Sequence, residues 1–284
     1  MTLTINTETC VRCGACAKEC PADAIVHDCE TYEIRQTFCI RCSHCGLVCP
    51  VDAVETDRGP LPAWENPELS SEGVRSFLVG KRSIRIYRSD PLPREVVDDI
   101  LAVGSLTASA SNAQSWRAVV LTGRAVGETG SRIMQFYDAV LRSAENPLGR
   151  MVLHCTAARR FLKRRAHYRE RIRDYFSGRD SLFFHAPAVV FLTYPKRRGH
   201  FGMTDCVLAG QAMMYYAQSL GLGSCMIGFA QMAVNRRKAL RRSLGMRPDR
   251  RVGLVFTLGY TGQSYRKLPH RKELPATYME TLTP

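Results

Sequence analysis

The chain has 284 residues, enough for two domains, and 45% of them are hydrophobic, which allows a sizeable core. Its most apolar stretch, residues 207–234, is interrupted by glutamines and glycines. The stretch therefore predicts a buried helix followed by a turn and a strand, and we expect no membrane span. No cationic segment followed by an apolar one marks a secretion signal, so we expect a cytoplasmic protein.

The formal net charge of +14 is unevenly distributed along the chain. Residues 1–60 contain 9 acidic and 5 basic residues, a net charge of −4. Residues 61–284 contain 17 acidic and 35 basic residues, a net charge of +18. We therefore expect either that the acidic first part lies on the basic second part, or that the basic part attracts an acidic partner or an anionic substrate.

Eight of the twelve cysteines form one pattern that occurs twice. Each copy has three cysteines separated by two residues, a fourth cysteine after three more residues, and then a proline. The copies are Cys10, Cys13, Cys16, Cys20 and Pro21, and then Cys39, Cys42, Cys45, Cys49 and Pro50. This repeated run resembles the ligand pattern of bacterial ferredoxins that bind two [4Fe–4S] clusters.

The spacing predicts which cysteines bind which cluster. Three thiolates on one tight loop can bind three irons of one cluster, whereas the fourth cysteine lies too far along the chain and binds the other cluster. The first cluster would be bound by Cys10, Cys13, Cys16 and Cys49, and the second by Cys39, Cys42, Cys45 and Cys20. Zinc would not use the third cysteine of each run, and disulfides would need an oxidising compartment. Of the remaining thiols, we expect Cys29, Cys155, Cys206 and Cys225 to be buried.

The pattern of short elements predicts two domains. Residues 2–6, 24–27 and 53–56 alternate like short strands around the cysteine loops. Three prolines and a glycine without periodicity mark a semi-rigid connection over residues 58–70. We predict a ferredoxin-like domain over residues 1–60, a linker over residues 61–72 and a second domain over residues 73–284.

In the second domain, helices and strands follow one another in an order that predicts an α+β or α/β layer around one central sheet. Proline at position 93 followed by periodic apolar residues indicates a helix, and a small polar loop follows over residues 105–115. The remaining predicted elements are strands at 116–121, 188–194 and 252–259, one or two helices within 131–180, and helices at 204–220 and 233–243.

Four separated stretches of this second part carry a resemblance to a known family. They are KRSIR at 81–85, SASNAQSW at 109–116, GLGSCMIG at 221–228, and LGY at 258–260 followed by Arg271. In this order they resemble the nitroreductase family of FMN-dependent oxidoreductases, over about residues 70–284. The resemblance implies an α+β domain with a central mixed sheet flanked by helices, and a homodimer with FMN at the subunit interface.

The resemblance also implies a set of FMN-binding residues. Arginine can hold a phosphate through two parallel hydrogen bonds, although a single arginine is ordinarily a solvated surface residue. The family's pattern assigns the phosphate and ribityl chain to Lys81, Arg82, Ser83, Arg85 and Arg271. It assigns contacts with the flavin from a neighbouring loop to Ser109, Asn112 and Gln114, for which turn formation is the alternative. It places Met226, Ile227 and Gly228 beside the flavin ring.

The sequence does not identify catalytic residues. A separate NAD(P)H domain is not indicated, because no glycine-rich dinucleotide fingerprint is present. As proton donors, Tyr87, Tyr215 and Tyr216 qualify by residue type only, and packing is the preferred interpretation.

Two arginine-rich runs complete the candidate surfaces. They favour solvated helix faces, with docking of an acidic electron carrier or an anionic substrate as the alternative, and we expect no nucleic-acid binding. The first run comprises Arg159, Arg160, Lys163, Arg164, Arg165, Arg169, Arg171 and Arg173, and the second comprises Arg236, Arg237, Lys238, Arg241, Arg242, Arg247, Arg250 and Arg251.

Together the two halves predict an oxidoreductase that depends on FMN and iron–sulfur clusters. The clusters carry single electrons, and the flavin stores two and passes them to a small molecule with a nitro, quinone or activated-alkene group. An external ferredoxin or a similar acidic carrier would supply the electrons. The alternatives are a dehydrogenase that runs in reverse, with the clusters as the electron exit, and a non-catalytic electron-transfer subunit of a larger complex.

Overall fold

The computed structural model describes residues 1–28, 31–146 and 164–281. Of the sequence predictions, those on Cys29, Cys155, Arg159, Arg160 and Lys163 lie outside the described residues. The helices are α1 (Ala15–Glu19), α2 (His44–Leu47), α3 (Ser71–Gly80), α4 (Arg94–Ser105), α5 (Arg124–Ser143), α6 (Arg165–Phe176), α7 (Gly199–Ser219), α8 (Gly228–Arg236) and α9 (Lys238–Ser243). The strands are β1 (Leu3–Ile5), β2 (Ile25–His27), β3 (Tyr32–Ile34), β4 (Val54–Thr56), β5 (Arg117–Thr122), β6 (Ala188–Pro195), β7 (Leu222–Met226) and β8 (Arg250–Tyr260).

The cysteine-rich first part contains two small antiparallel strand pairs, β1 with β4 and β2 with β3. Leu3, Ile34, Cys45 and Val54 form its buried core. The three predicted strands are confirmed. Strand β3, which lies between the two cysteine runs, was not predicted.

The two cysteine runs have matching backbone conformations. Left-handed φ angles occur at equivalent places in the two copies, at Arg12 and Arg41, at Gly14 and Ser43, and at Asp23 and Asp52. The turns agree as well, since the amide of the first cysteine donates to Asn6 in one copy and to Arg35 in the other. The repeated cysteine spacing therefore corresponds to a repeated loop geometry.

The connection between the two parts contains neither a helix nor a strand from Asp57 to Ser70. Helix α3 begins directly after it, because the Ser70 hydroxyl accepts a hydrogen bond from the Gly73 amide at 3.0 Å and caps the helix. The sequence predicted the irregular connection and did not predict α3.

The second part is built on a four-stranded antiparallel sheet in the order β5–β6–β8–β7. Strand β6 lies in the interior and pairs with β5 and β8, which explains its continuous apolar sequence. Among the described residues, the isolated bridge between Ser83 and Ser224 is the one parallel pairing in this part, and its Ser83 lies outside the four strands of the sheet.

Helices cover both faces of this sheet, as predicted. Val189 and Phe191 point towards a core formed with α5, α6, α8 and α9. Val190 and Leu192 point towards a second core formed with α4 and α7. Helix α7 approaches the sheet closely at Gly210, where a Cβ atom would lie 2.1 Å from a methyl group of Leu254.

The predicted helix over residues 233–243 is in fact two helices, α8 and α9, which meet at an extended Arg237. No glycine or proline marks this break. The side chain of Asn235 exchanges hydrogen bonds with the backbone of Val252 at 2.8 and 2.9 Å and ties the end of α8 to β8. Because this contact is tertiary, local sequence could not reveal it.

The predicted long apolar helix is confirmed as α7, which starts at Gly199. Ala209, Met213 and Ala217 are buried on its inner face, whereas Phe201 and Leu208 are 52% and 49% exposed. Among the helices that the structure describes, none has the length and apolarity needed to cross a bilayer.

Candidate functional site

Four of the predicted cluster ligands surround one cavity. Cys20 lies there with Cys39, Cys42 and Cys45, although it belongs to the other cysteine run. The rest of the wall is mostly apolar and comprises Leu3, Ala22, Ala24, Ile25, Ile34, Ile40, Ser43 and His44. This arrangement fits the predicted crossed ligation of the second cluster.

Backbone amides point at several of these sulfurs. The amides of Ala24 and Ala53 donate to the Sγ atoms of Cys20 and Cys49 at 3.3 and 3.2 Å. Hydrogen bonds of this kind stabilise a thiolate and tune the potential of a cluster bound to it. In the described residues no three His, Cys, Asp or Glu side chains converge on a single metal ion.

The sulfurs within each run are close enough to influence one another. Burial first, and then the neighbouring Cys39 and Cys42, raise the pKa of the Cys45 thiol to about 11. Burial, followed by Cys10 and Cys13, also raises the pKa of the Cys16 thiol. The bare thiolates of Cys16 and Cys45 are therefore disfavoured, and their deprotonation would be coupled to binding of iron.

The 81–85 segment is held against strand β7. The amide of Ile84 donates to the Ser224 carbonyl at 3.0 Å, and Ser83 bridges Ser224. Gly223 makes this approach possible, because a Cβ atom there would lie 2.7 Å from Ile84. Strand β7 thus fixes the position of the basic side chains on either side of Ile84.

These basic side chains line a cavity of about 500 Å³, which we call the basic cavity. All five residues predicted to hold the phosphate and ribityl chain lie on its wall. No acidic residue is among the described residues that line it. The full wall is Lys81, Arg82, Ser83, Arg85, Gln211, Met214, Met226, Tyr265 and Arg271. Such a cavity suits a multiply charged anion.

Two of the cationic side chains on this wall donate hydrogen bonds to backbone carbonyls. The Lys81 ammonium donates to the carbonyls of Arg82 and Ser224 at 2.8 and 3.3 Å, and Arg82 donates to the Lys81 carbonyl at 2.6 Å. Burial lowers the pKa of Lys81. A bound anion would offset this effect by favouring the charged ammonium.

A second cavity of about 230 Å³ shares Arg85 and Met226 with the basic cavity. We call it the aromatic cavity, since Tyr137, Tyr168, Phe184 and Phe229 supply much of its wall. The predicted residues Met226, Ile227 and Gly228 all line it, and Arg171, Ser181, Leu182, Met134, Ile172 and Cys225 complete it. The aromatic residues were missed because in the sequence they look like ordinary core positions.

A strained turn places Phe184 on this wall. The Asp180 carboxylate accepts hydrogen bonds from the amides of Leu182 and Phe183 at 2.9 Å each and from His185 at 3.0 Å. Phe184 and His185 adopt left-handed φ angles of 60° and 56°. The guanidinium of Arg85 lies 5.8 Å from the centre of the Phe184 ring.

The predicted loop residues Ser109, Asn112 and Gln114 line neither cavity in this chain. The Asn112 side chain instead donates to the carbonyls of Ile40 and Arg41 at 3.2 and 2.8 Å, in the second cysteine loop. Gln114 donates to Asn112, and the Ser109 hydroxyl accepts from the Gln114 amide. The loop therefore joins the two parts of the chain.

The three tyrosines considered as proton donors have packing or surface roles. Tyr87 shares a 2.7 Å hydrogen bond with Thr257, and burial raises its pKa. Tyr216 donates to Asp99 at 2.6 Å, and the ring of Tyr215 packs on Phe77. None of the three lines either cavity.

Several members of the arginine-rich runs are part of the fold. Arg250 is buried and donates to Thr193 and to the Ser115 carbonyl. Arg241 donates to the carbonyls of Val234 and Asn235 at the end of α8. The expectation of solvated faces is therefore wrong for Arg250 and only partly right for Arg241.

Comparison with known families gives a match for the part of the chain with the two cavities and a match for the cysteine-rich part. The model of the nitroreductase family matches residues 78–260, more than half of the chain. The chain belongs to the nitroreductase family. A 4Fe-4S binding domain also matches, over residues 3–26, and includes the first cysteine run. Both parts of the predicted fusion are thereby confirmed.

Similar proteins match the nitroreductase part. A 4-nitrobenzoate reductase of Nocardioides sp. (strain LMS-CY) is 25% identical over 218 residues, covering 68% of this chain and 84% of the relative. A nitrobenzene nitroreductase of Ectopseudomonas oleovorans is 29% identical over 210 residues, covering 69% of this chain and 89% of the relative. The crystal structure of a nitroreductase with bound FMN from Desulfitobacterium hafniense DCB-2 aligns with a TM-score of 0.55 at 20% identity, covering 75% of this chain and 100% of that one. The structural match establishes the shared fold.

Proposed function

We propose that this nitroreductase-family protein binds FMN and two [4Fe–4S] clusters and reduces nitroaromatic compounds with electrons that enter through the clusters. The observation that carries the proposal is the basic cavity, where five predicted phosphate-binding residues from opposite ends of the second part meet. The four-cysteine cavity in the first part supports the cluster half of the proposal.

The residues present fit a flavin mononucleotide. Arg82, Arg85 and Arg271 would hold the phosphate, and Ser83 would donate to the phosphate or ribityl chain. The backbone of residues 226–228 would border the flavin ring, because these residues line the aromatic cavity that adjoins the basic one. When bound, FMN supplies storage for two electrons, whereas each cluster carries one.

The aromatic cavity supports a nitroaromatic substrate. Its tyrosine and phenylalanine rings offer stacking surfaces, and Arg85 and Arg171 lie on the same wall. The names of two curated relatives, a 4-nitrobenzoate reductase and a nitrobenzene nitroreductase, point to the same substrate class. Conversion of a nitro group to a nitroso group and water takes two electrons and two protons, and two one-electron deliveries from reduced ferredoxin would supply the electrons.

We further propose a homodimer. Phe201 and Leu208 on α7 and Leu78 on α3 expose large apolar side chains, which a second copy of the chain would cover. The reducing conditions of the cytoplasm suit the clusters.

The test is reduction of 4-nitrobenzoate by anaerobically purified protein with dithionite-reduced ferredoxin as the donor. Consumption of the nitro compound by protein with one FMN and roughly eight irons per chain would support the proposal. Protein that binds both cofactors and leaves several nitroaromatic compounds unreduced would contradict it.

A further inference from the structure

The amide side chain of Asn112 connects the two parts of the chain by hydrogen bonds. Asn112 donates from Nδ2 to the carbonyl oxygens of Ile40 and Arg41. These two residues lie between Cys39 and Cys42, which both line the four-cysteine cavity. The contact therefore involves the loop of the second cluster.

One peptide group links Asn112 to a ligand sulfur. The peptide between Ile40 and Arg41 accepts from Asn112 at its carbonyl, and its N–H donates to Cys39 Sγ at 3.4 Å. Hydrogen bonds in such a chain polarise one another, so the bond from Asn112 strengthens the donor that faces the sulfur. Donors to cluster sulfurs raise the reduction potential.

The loop that carries Asn112 is anchored on both sides. The Ala110 amide donates to the buried Asp205 at 2.9 Å, and Arg198 donates to the Ala110 carbonyl at 2.6 Å. Arg250 holds the Ser115 carbonyl at 2.8 Å. The loop is thus a fixed support within the nitroreductase part.

The backbone of the loop is strained at its contact point. Ser111, Asn112 and Gln114 have left-handed φ angles of 54°, 48° and 41°. Asparagine tolerates this conformation better than most residues, and such strain persists where the surroundings fix it. Gln114 Nε2 donates to Asn112 Oδ1 at 2.8 Å and turns the amide nitrogen towards the cysteine loop.

We infer that Asn112 is a positioning residue that docks the second cysteine loop on the nitroreductase part and makes the second cluster the one that exchanges electrons with the flavin. The first cluster, bound by Cys10, Cys13, Cys16 and Cys49, is then the one that meets the external carrier. This order rests on the proposed function, since it assumes that both clusters and FMN are bound. Electron transfer slows steeply with distance, so the docked loop sets the route.

Two variants test the inference. Asn112→Asp keeps the shape and the acceptor for Gln114 and removes the donors, and Asn112→Gly removes the side chain while tolerating the left-handed backbone. Gln135→Glu makes the same amide-to-carboxylate change on the exposed face of α5 and is the matched control.

Three readouts are expected to change in both variants and not in the control. Amide hydrogen exchange should increase in peptides covering residues 36–46 and 107–117, because docking is weaker. The potential of the second cluster should fall, because the donor to Cys39 is weaker. The docking equilibrium should shift roughly tenfold towards the undocked loop, the effect of losing two ordinary hydrogen bonds, and flavin reduction through the clusters should slow as the docked population falls. A lower cluster potential would by itself speed this step, so slowing reports lost positioning.

Wild-type hydrogen exchange and an unchanged rate of flavin reduction in both Asn112 variants would overturn the inference. In that case the wild-type protein would still transfer electrons and the proposed function would stand. If the wild-type protein transferred no electrons to FMN, the proposed function would fail, and the route inferred for the second cluster would fail with it.

Discussion

Arg82 and Arg271 lie near opposite ends of the second part of the chain, and the fold brings them to one wall of the basic cavity. Within the described residues neither forms an ion pair with an acidic side chain. Their charges are therefore available to an anion. This distinguishes them from Arg250, whose buried guanidinium donates hydrogen bonds to Thr193 and to the Ser115 carbonyl.

Replacement of Arg82 or Arg271 by alanine is expected to weaken FMN binding about 10- to 100-fold, because each removes a charge-assisted hydrogen-bonding group worth about 1.5–3 kcal/mol. Flavin fluorescence titration measures the affinity, and iron analysis should show unchanged cluster content. Arg132→Ala, an exposed arginine outside both the basic and the aromatic cavity, is the control. Wild-type flavin affinity in a protein with both Arg82→Ala and Arg271→Ala would show that the site assignment is wrong.

Cys20→Ser tests the crossed ligation. Since Cys20 lies with Cys39, Cys42 and Cys45, the substitution is expected to disturb the second cluster and leave the first intact. Electron paramagnetic resonance of the reduced protein distinguishes the two clusters when compared with Cys16→Ser. Loss of the same signal in both variants would contradict crossed ligation.

At the scale of elements, β7 does two things. Its outer edge holds the 81–85 segment through Ser224, and the residues that follow it line the aromatic cavity. Both functions require β7 to lie close to Ile84. Gly223 allows this close approach, because it has no Cβ atom.

Gly223→Ala is accordingly expected to push Ile84 away, distort the basic cavity and lower FMN affinity. Overpacking of this kind costs about 1–3 kcal/mol. Gly127→Ala is the matched control, because a Cβ atom there meets nothing within 4 Å and should stabilise α5 by up to about 1 kcal/mol. Flavin titration and thermal unfolding are the measurements. Equal flavin affinity in the two variants would contradict the role of Gly223.

Elements that depend on neighbouring residues in the sequence could be predicted, whereas those that depend on residues far apart in the chain could not. Strand β6 was predictable because its apolar run is local. The first cysteine run was recognisable as part of a 4Fe-4S binding domain because its spacing is also local, and the assignment of individual ligands stays a prediction. The break at Arg237 and the contact of Asn112 with two carbonyls depend on distant backbone, which has no residue-type signature. Tyr137 and Phe229 line a cavity but show the periodicity of core residues.

At the scale of the whole molecule, an acidic ferredoxin-like part is attached to a basic nitroreductase part. Their net charges of opposite sign favour association of the two parts, and the Asn112 contact gives this association a defined place. Together they support the proposal that electrons pass between the clusters and FMN within one chain.

Anaerobic stopped-flow spectroscopy tests this claim most directly. The oxidised protein is mixed with reduced ferredoxin in one experiment and with NAD(P)H in another, and flavin bleaching is followed apart from cluster absorbance. We expect ferredoxin to reduce the clusters first and the flavin immediately afterwards. Reduced clusters beside a flavin that stays oxidised, with bleaching by NAD(P)H alone, would contradict it.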